Sequence, residues 1–346
     1  MSSAKKLTVP CALDAALDSA WLEEALAPVI GGGSIASIET VEVIRTMATK
    51  VRFRVAHGGR AEAYCLKGFL DVDATTARGG PTMIREADFY AKIAPHVPMR
   101  LAECVTGIVD REAQQGVIIM RDLIDGGARM GNALITLGAD AVAGTLEQLA
   151  ALHANAALLD AAPWIEHRIA GMAGRPHLSN ADLQTLLDGP RSVGLPAATC
   201  NAERLIEALQ RLAVRDAQRP HTLVHGDCHA GNVFLTNEGP GFLDWQLVQR
   251  GGWALDVAYH INASLPVEVA EKEEASLLRG YLDAARRLGA NAPGPEEALT
   301  QYREALVYGY YLWAITRRVE PAITNLCNHR LGMAVTRHES YRLLES

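Results

Sequence analysis

Between residues 35 and 120 apolar and polar positions alternate with a period near two, which predicts strands over 35–44, 51–55 and 61–69. The last two are joined across His57-Gly-Gly-Arg60, a hairpin turn. Spans 101–109 and 116–120, joined by Asp110-Arg-Glu-Ala, complete a five-stranded, mostly antiparallel sheet. Ahead of it, Leu22, Leu26 and Val29 at helical spacing predict a helix over 21–28, capped by Asp18 or Ser19 and ended by Gly31-Gly-Gly33. A second helix, capped by Thr82, carries Glu86, Phe89, Tyr90 and Ile93 on one stripe. After Gly126-Gly127 the pattern turns helical, over 139–156, 201–214, 277–288, 296–315 and 331–344. An α+β fold in two domains, 1–123 and 124–346, is the expectation.

One stretch, 222–245, breaks the helical run. Thr222 to Val224, Val233 to Leu235 and Phe242-Leu243 are apolar strand formers, 236–241 is turn-like, and the apolar arms carry Asp227, Asn232 and Asp244 at their ends. These residue types suit phosphoryl transfer, which uses one carboxylate to take a hydroxyl proton and an amide oxygen and a second carboxylate as hard ligands for magnesium. On the third strand Ala63, Cys65 and Lys67 share a face. Lys67 is either an exposed edge residue or an inward ammonium that needs an anion, and Glu86, on the stripe its helix must bury, is the matching carboxylate.

Length and composition narrow the setting. A chain of 346 residues, 49% hydrophobic and 21% charged, is an ordinary globular protein with room for two cores. Its formal charge of -7 argues against nucleic-acid binding, and no apolar run is long enough to span a membrane. The first seven residues lack the apolar segment of a signal peptide, and six scattered cysteines form no Cys-x-x-Cys pair, so a cytoplasmic location is expected. Cys228 is read as a packed thiol behind the polar loop rather than a nucleophile. Oligomeric state is open.

His225-Gly-Asp-Cys-His-Ala-Gly-Asn232 resembles, nearly letter for letter, the signature of the aminoglycoside phosphotransferase and choline kinase-like small-molecule kinases, the ecdysteroid kinase-like group among them. The Asp-x-x-x-x-Asn spacing is also that of the protein-kinase catalytic loop, and the likeness extends over 31–342. It implies a bilobal kinase-like fold using ATP and Mg2+, with a nucleotide-binding first lobe and a helical second lobe that binds a small-molecule hydroxyl acceptor. Asp227 would be the base, Asn232 and Asp244 the metal ligands, and Lys67 with Glu86 the pair that holds the α- and β-phosphates. Met120, Asp122 and Leu123 would form the hinge that meets adenine. Asp256 would hold the catalytic loop, His225 would brace it, and His153 reads as a core or capping histidine. His229 either donates to the γ-phosphate or substrate or makes a bond inside the loop.

Departures from the pattern also matter. Trp245-Gln246 stands where protein kinases have Phe-Gly, and no Ala-Pro-Glu follows, which argues against a protein-kinase activation segment. The turn at 44–50 that would cover the phosphates has no glycine, leaving Thr46, Thr49 and main-chain N–H groups to touch phosphate, with Arg45 and Lys50 either adding charge or simply solvated. That absence keeps open a catalytically silent nucleotide-binding pseudokinase. A third reading takes His221, His225, Asp227 and His229 as a metallohydrolase site. The acceptor's identity and a choice between ATP and GTP are not encoded legibly.

Overall fold

Alternation over 51–55 and 64–66 buries every second residue against one apolar layer. The computed structural model describes residues 7–346, so the signal-peptide reading of residues 1–6 lies outside the described residues. Strands β1 (Ile35–Arg45), β2 (Thr49–His57), β3 (Arg60–Gly68), β4 (Cys104–Asp110) and β5 (Gln115–Arg121) form one antiparallel sheet in the order β1-β2-β3-β5-β4. Val51, Phe53, Val55, Tyr64, Leu66, Val117 and Ile119 are fully buried on one face with Leu22, Leu26 and Ala25. Leu22 and Ala25 belong to α2 (Ser19–Ala25), Leu26 joins it to α3 (Ala27–Ile30), and α1 (Leu13–Ala16) precedes them. The helix expected over 21–28 is thus two short ones; Asp18 caps α2 through the Trp21 N–H, and Pro28 sits in the first turn of α3, where its missing N–H costs nothing.

Short α4 (Ala74–Ala77) leads to α5 (Gly80–Lys92), which packs on β4 and β5. Close approach requires glycine there: a Cβ on Gly116 would lie 2.9 Å from the Met83 carbonyl carbon. Thr82 is not the cap. The helix opens two residues earlier with Pro81 in its first turn, and the Thr82 hydroxyl donates to the Gly79 carbonyl instead.

The rest is mainly helical: α6 (Ala139–His153), α7 (Leu158–Ala161), α8 (Arg168–Gly174), α9 (Asn180–Leu187), α10 (Ala202–Asp216), α11 (Ala254–Ser264), α12 (Val267–Arg287), α13 (Pro295–Ile315), α14 (Pro321–Arg337) and α15 (Ser340–Glu345). The helix expected over 331–344 is split because Glu339 adopts a left-handed backbone (φ 51°). Short strands β6 (Arg129–Met130), β7 (Thr222–Val224), β8 (Val233–Thr236), β9 (Gly239–Phe242) and β10 (Gln249–Gly251) complete the chain. β8 and β9 make a hairpin whose turn is only Asn237-Glu238, whereas β7 pairs with β10 and not with β8. The polar loop is therefore not the tip of a hairpin but a crossing between two small sheets.

The chain divides into two compact units, the first comprising residues 7–96, 101–129 and 244–247 among those described, the second 97–100, 130–243 and 248–346. No helix among the described residues is long and apolar enough to cross a membrane.

Candidate active site

Within the first unit, register places Lys67 of β3 on the face that α5 covers. Its ammonium is 2.8 Å from Glu86 Oε2 and 2.9 Å from Asp244 Oδ1, with Lys67 and Glu86 both fully buried. Burial opposes the charge on Lys67, but the two carboxylates outweigh it and raise its pKa to about 12. The segment 244–247 is anchored on α5: the Trp245 ring stacks on Phe89 with centroids 3.9 Å apart, and its main-chain N–H donates to Glu86 Oε1. Asp244 itself adopts a left-handed backbone (φ 68°), a conformation costly for most residues and tolerated best by glycine, Asn and Asp.

In the second unit the loop 225–232 is held almost entirely by its own main chain and by helices. Asn232 Nδ2 donates to the Asp227 carbonyl at 2.8 Å, so the Asn232 amide oxygen is the atom turned away from the loop. Tyr259 donates to Asp227 Oδ1 at 2.8 Å, and Trp313 Nε1 donates in turn to the Tyr259 oxygen at 2.8 Å. His225 accepts the Asp227 N–H at Nδ1 and donates from Nε2 to the Leu243 carbonyl, which fixes its tautomer. His229 Nδ1 accepts the Gly231 N–H, leaving Nε2 as the donor of its neutral ring, and that ring lies edge-on to Trp313 with centroids 5.3 Å apart. Gly226 has φ 84°, which a side chain would strain.

Asp256, at the start of α11, accepts the N–H groups of His225 and Gly226 and a bond from His153 Nε2. Burial works against its ionisation, yet the His153 bond and the surrounding donors hold its pKa below the usual carboxylate value. His153 also accepts from Tyr281, so its core role is as an intermediary behind the loop. The Cys228 thiol is buried and pushed well above its ordinary pKa, first by burial and then by Asp256, which excludes it as a nucleophile at neutral pH.

His260 supplies a pH-dependent support. Its Nδ1 donates to the Cys228 carbonyl and its Nε2 meets the Thr145 hydroxyl, while burial lowers its pKa to about 4. In the unfolded chain the same ring titrates near ~6.5. Its contribution is therefore complete above that value and is lost as pH falls toward the folded pKa, by about 3 kcal/mol in total. Urea unfolding at about pH 7 and about pH 4.5 should show this decline, and His260→Gln should flatten it. An equal decline in the variant would exclude His260 as the source.

The structure thus gathers the predicted residues into two groups, Lys67 with Glu86 and Asp244, and Asp227 with Asn232 and His229. Thr49 joins neither. It lies on the sheet face opposite Lys67, buried, with its hydroxyl donating to the Leu70 carbonyl. Met120 pairs in β5 between β3 and β4. The Asp122 carboxylate is buried against Arg52 Nε (2.8 Å), its N–H donates to the Ala63 carbonyl, and the Leu123 carbonyl accepts from Ala128. Tyr259 and Trp313 were not anticipated; neither lies in a motif, and only packing shows where their polar atoms end.

The metallohydrolase reading fails on these contacts, since both ring nitrogens of His225 serve the main chain. The cluster with metal-ligand proximity among the described residues is a different one, His167, Asp216 and His221. Its donors already bond one another: His167 Nε2 is 2.9 Å from Asp216 Oδ2, and His221 Nε2 donates to the Asp216 carbonyl at 3.0 Å.

Fold and site define a kinase-like α+β protein with the polar groups of a phosphotransferase. The model of the ecdysteroid kinase-like family matches residues 43–289, well over half the chain, and the protein belongs to that family. It is a small-molecule kinase, a phosphotransferase with an alcohol group as acceptor. No curated protein matches the sequence. Similar solved structures include an ethanolamine kinase of Plasmodium vivax (15% identity, 86% of this chain and 81% of that one, TM-score 0.47). A choline/ethanolamine kinase family protein of Mesorhizobium loti is 15% identical over 94% of this chain and 97% of that one, with a TM-score of 0.47. An aminoglycoside phosphotransferase is 13% identical over 92% and 98%, with a TM-score of 0.48.

Proposed function

We propose that the protein transfers the γ-phosphoryl group of ATP, with Mg2+, to a hydroxyl of a small molecule, and that Asp227 takes the hydroxyl proton. The observation that carries this reading is the way Asp227 and Asn232 are held. Tyr259 fixes one Asp227 oxygen, and Asn232 gives its N–H to the Asp227 carbonyl, so a base and a hard amide oxygen are presented from one rigid loop. The Asn232 amide oxygen and the partly exposed Asp244 carboxylate are the donor types magnesium takes, and these two residues would hold it. When bound, the ion neutralises phosphate charge.

Lys67, oriented by Glu86, would contact the phosphates, and the main chain at Met120, Asp122 and Leu123 would meet adenine. Through Nε2, His229 would donate to the transferring phosphoryl group or to the acceptor. The buried hydroxyl contact of Thr49 removes it from this set. Six cysteines, none in a disulfide, fit a reducing cytoplasmic setting.

The test is to incubate the protein with Mg-ATP and a panel of hydroxylated small molecules, reading ADP release and phosphorylated product by mass spectrometry. Phosphate on an acceptor hydroxyl is the expected result. Nucleotide binding without transfer to any acceptor and without slow hydrolysis would instead favour the pseudokinase.

A further inference from the structure

Lys50 is the second residue of β2, directly across from Lys67 of β3 in the antiparallel register, so the two ammoniums share one face of the sheet. The same face of β2 carries Arg52 and Arg54 at successive alternate positions. Arg52 bonds Asp122 at 2.8 Å and Glu42 at 3.0 Å; Arg54 bonds Asp125 at 3.0 Å; Lys67 has Glu86 and Asp244. Of these four cations Lys50 alone makes no ion pair or hydrogen bond among the described residues, although it is partly buried. Burial, and next the neighbouring Lys67 charge, depress its pKa, and Asp244 and Glu86 offset this only in part from a distance.

A cation in this position is unfavourable by itself. Like charges directly opposite on a sheet repel, and a half-buried ammonium without a partner has lost water contacts without replacement. Such local conflict in an otherwise consistent fold points to a missing ligand. The preceding turn has no glycine, and both donors of Thr46, its N–H and its hydroxyl, close on the Ala48 carbonyl and are not offered outward. We propose that Lys50 binds the polyphosphate of the nucleotide, supplying from β2 the positive charge that a glycine-rich turn supplies through main-chain N–H groups. This rests on the kinase reading and adds to it a phosphate ligand beside Lys67.

The test compares wild type with Lys50→Met, which keeps length and apolar stem but removes the charge, and with Lys50→Arg. Titration of Mg-ATP and Mg-ADP by calorimetry should show binding weakened about 10- to 100-fold in Lys50→Met, the scale of one charge-assisted bond to phosphate, and largely restored in Lys50→Arg. Melting of the nucleotide-free proteins separates function from structure: without a partner to lose, Lys50→Met should melt at the wild-type temperature or above. Unchanged ATP affinity, or a nucleotide-free protein that melts several degrees lower, would overturn the assignment. If wild type and Lys50→Met bind alike while Lys67→Met binds weakly, only Lys50 is misassigned. Wild type that binds no ATP would remove the kinase reading and this inference together.

Discussion

Asp227→Asn is expected to bind Mg-ATP with nearly wild-type affinity while phosphoryl transfer falls by ~10²-fold or more, the usual scale for removing a general base. The substitution is close to isosteric. An asparagine oxygen can still accept the Tyr259 hydroxyl, and the main-chain carbonyl that Asn232 bonds is untouched, so the loop keeps its shape. What is lost is the capacity to take a proton. Tyr259→Phe is the informative companion: it leaves the carboxylate but frees one of its oxygens and strands the Trp313 N–H that Tyr259 accepts. Its loss should fall mainly on turnover and be smaller than that of Asp227→Asn, because orientation is weakened but the base survives. The measurement is single-turnover transfer to an acceptor found in the panel, or slow ATP hydrolysis in its absence. Full turnover by Asp227→Asn with normal nucleotide binding would refute the assignment of the base and direct attention to His229.

The second large effect is expected at Asp244. Asparagine is the right replacement, since φ 68° would strain alanine and add a backbone effect to the electrostatic one. Wild type should bind ATP more tightly with Mg2+ than without it, and in Asp244→Asn that difference should shrink by roughly 10- to 100-fold, as a hard cation loses a charged ligand. Lys67→Met should weaken ATP binding with or without the metal, because it removes a direct phosphate contact and takes the ammonium from between Glu86 and Asp244. Calorimetric titrations with Mg2+ and with a chelator distinguish the two patterns. If Mg2+ tightens ATP binding equally in Asp244→Asn and wild type, Asp244 is not a metal ligand.

Much of this protein was determined locally and can be read from the chain. Period-two alternation is plainest in β2 and β3, where Val51, Phe53, Val55, Tyr64 and Leu66 are buried on one face, and the parity of Lys67 against Tyr64 and Leu66 puts its ammonium on the face opposite that apolar core. Asp227, Asn232 and Asp244 are legible because they lie within eighteen residues, so their spacing survives as a pattern, and Glu86 is legible because a carboxylate on an apolar stripe is anomalous.

Other features depend on partners far away in sequence, and no window contains them. Every residue of α11 is buried, so it has no polar face and no helical period to detect; the family resemblance marks Asp256 on it as the holder of the loop, but nothing in the chain marks that the same helix brings Tyr259 to Asp227 and His260 to Cys228. Pairing of β7 with β10 in place of β8 is a long-range choice that apolar content does not specify. Thr49 and Lys50 are adjacent and both plausible phosphate ligands by type, but the register of β2 on β3 turns one into the apolar layer and the other toward Lys67. Sequence supplied the chemical groups; the tertiary structure decided which of them have partners, because a side chain's partner is set by strand register and helix packing rather than by its neighbours along the chain.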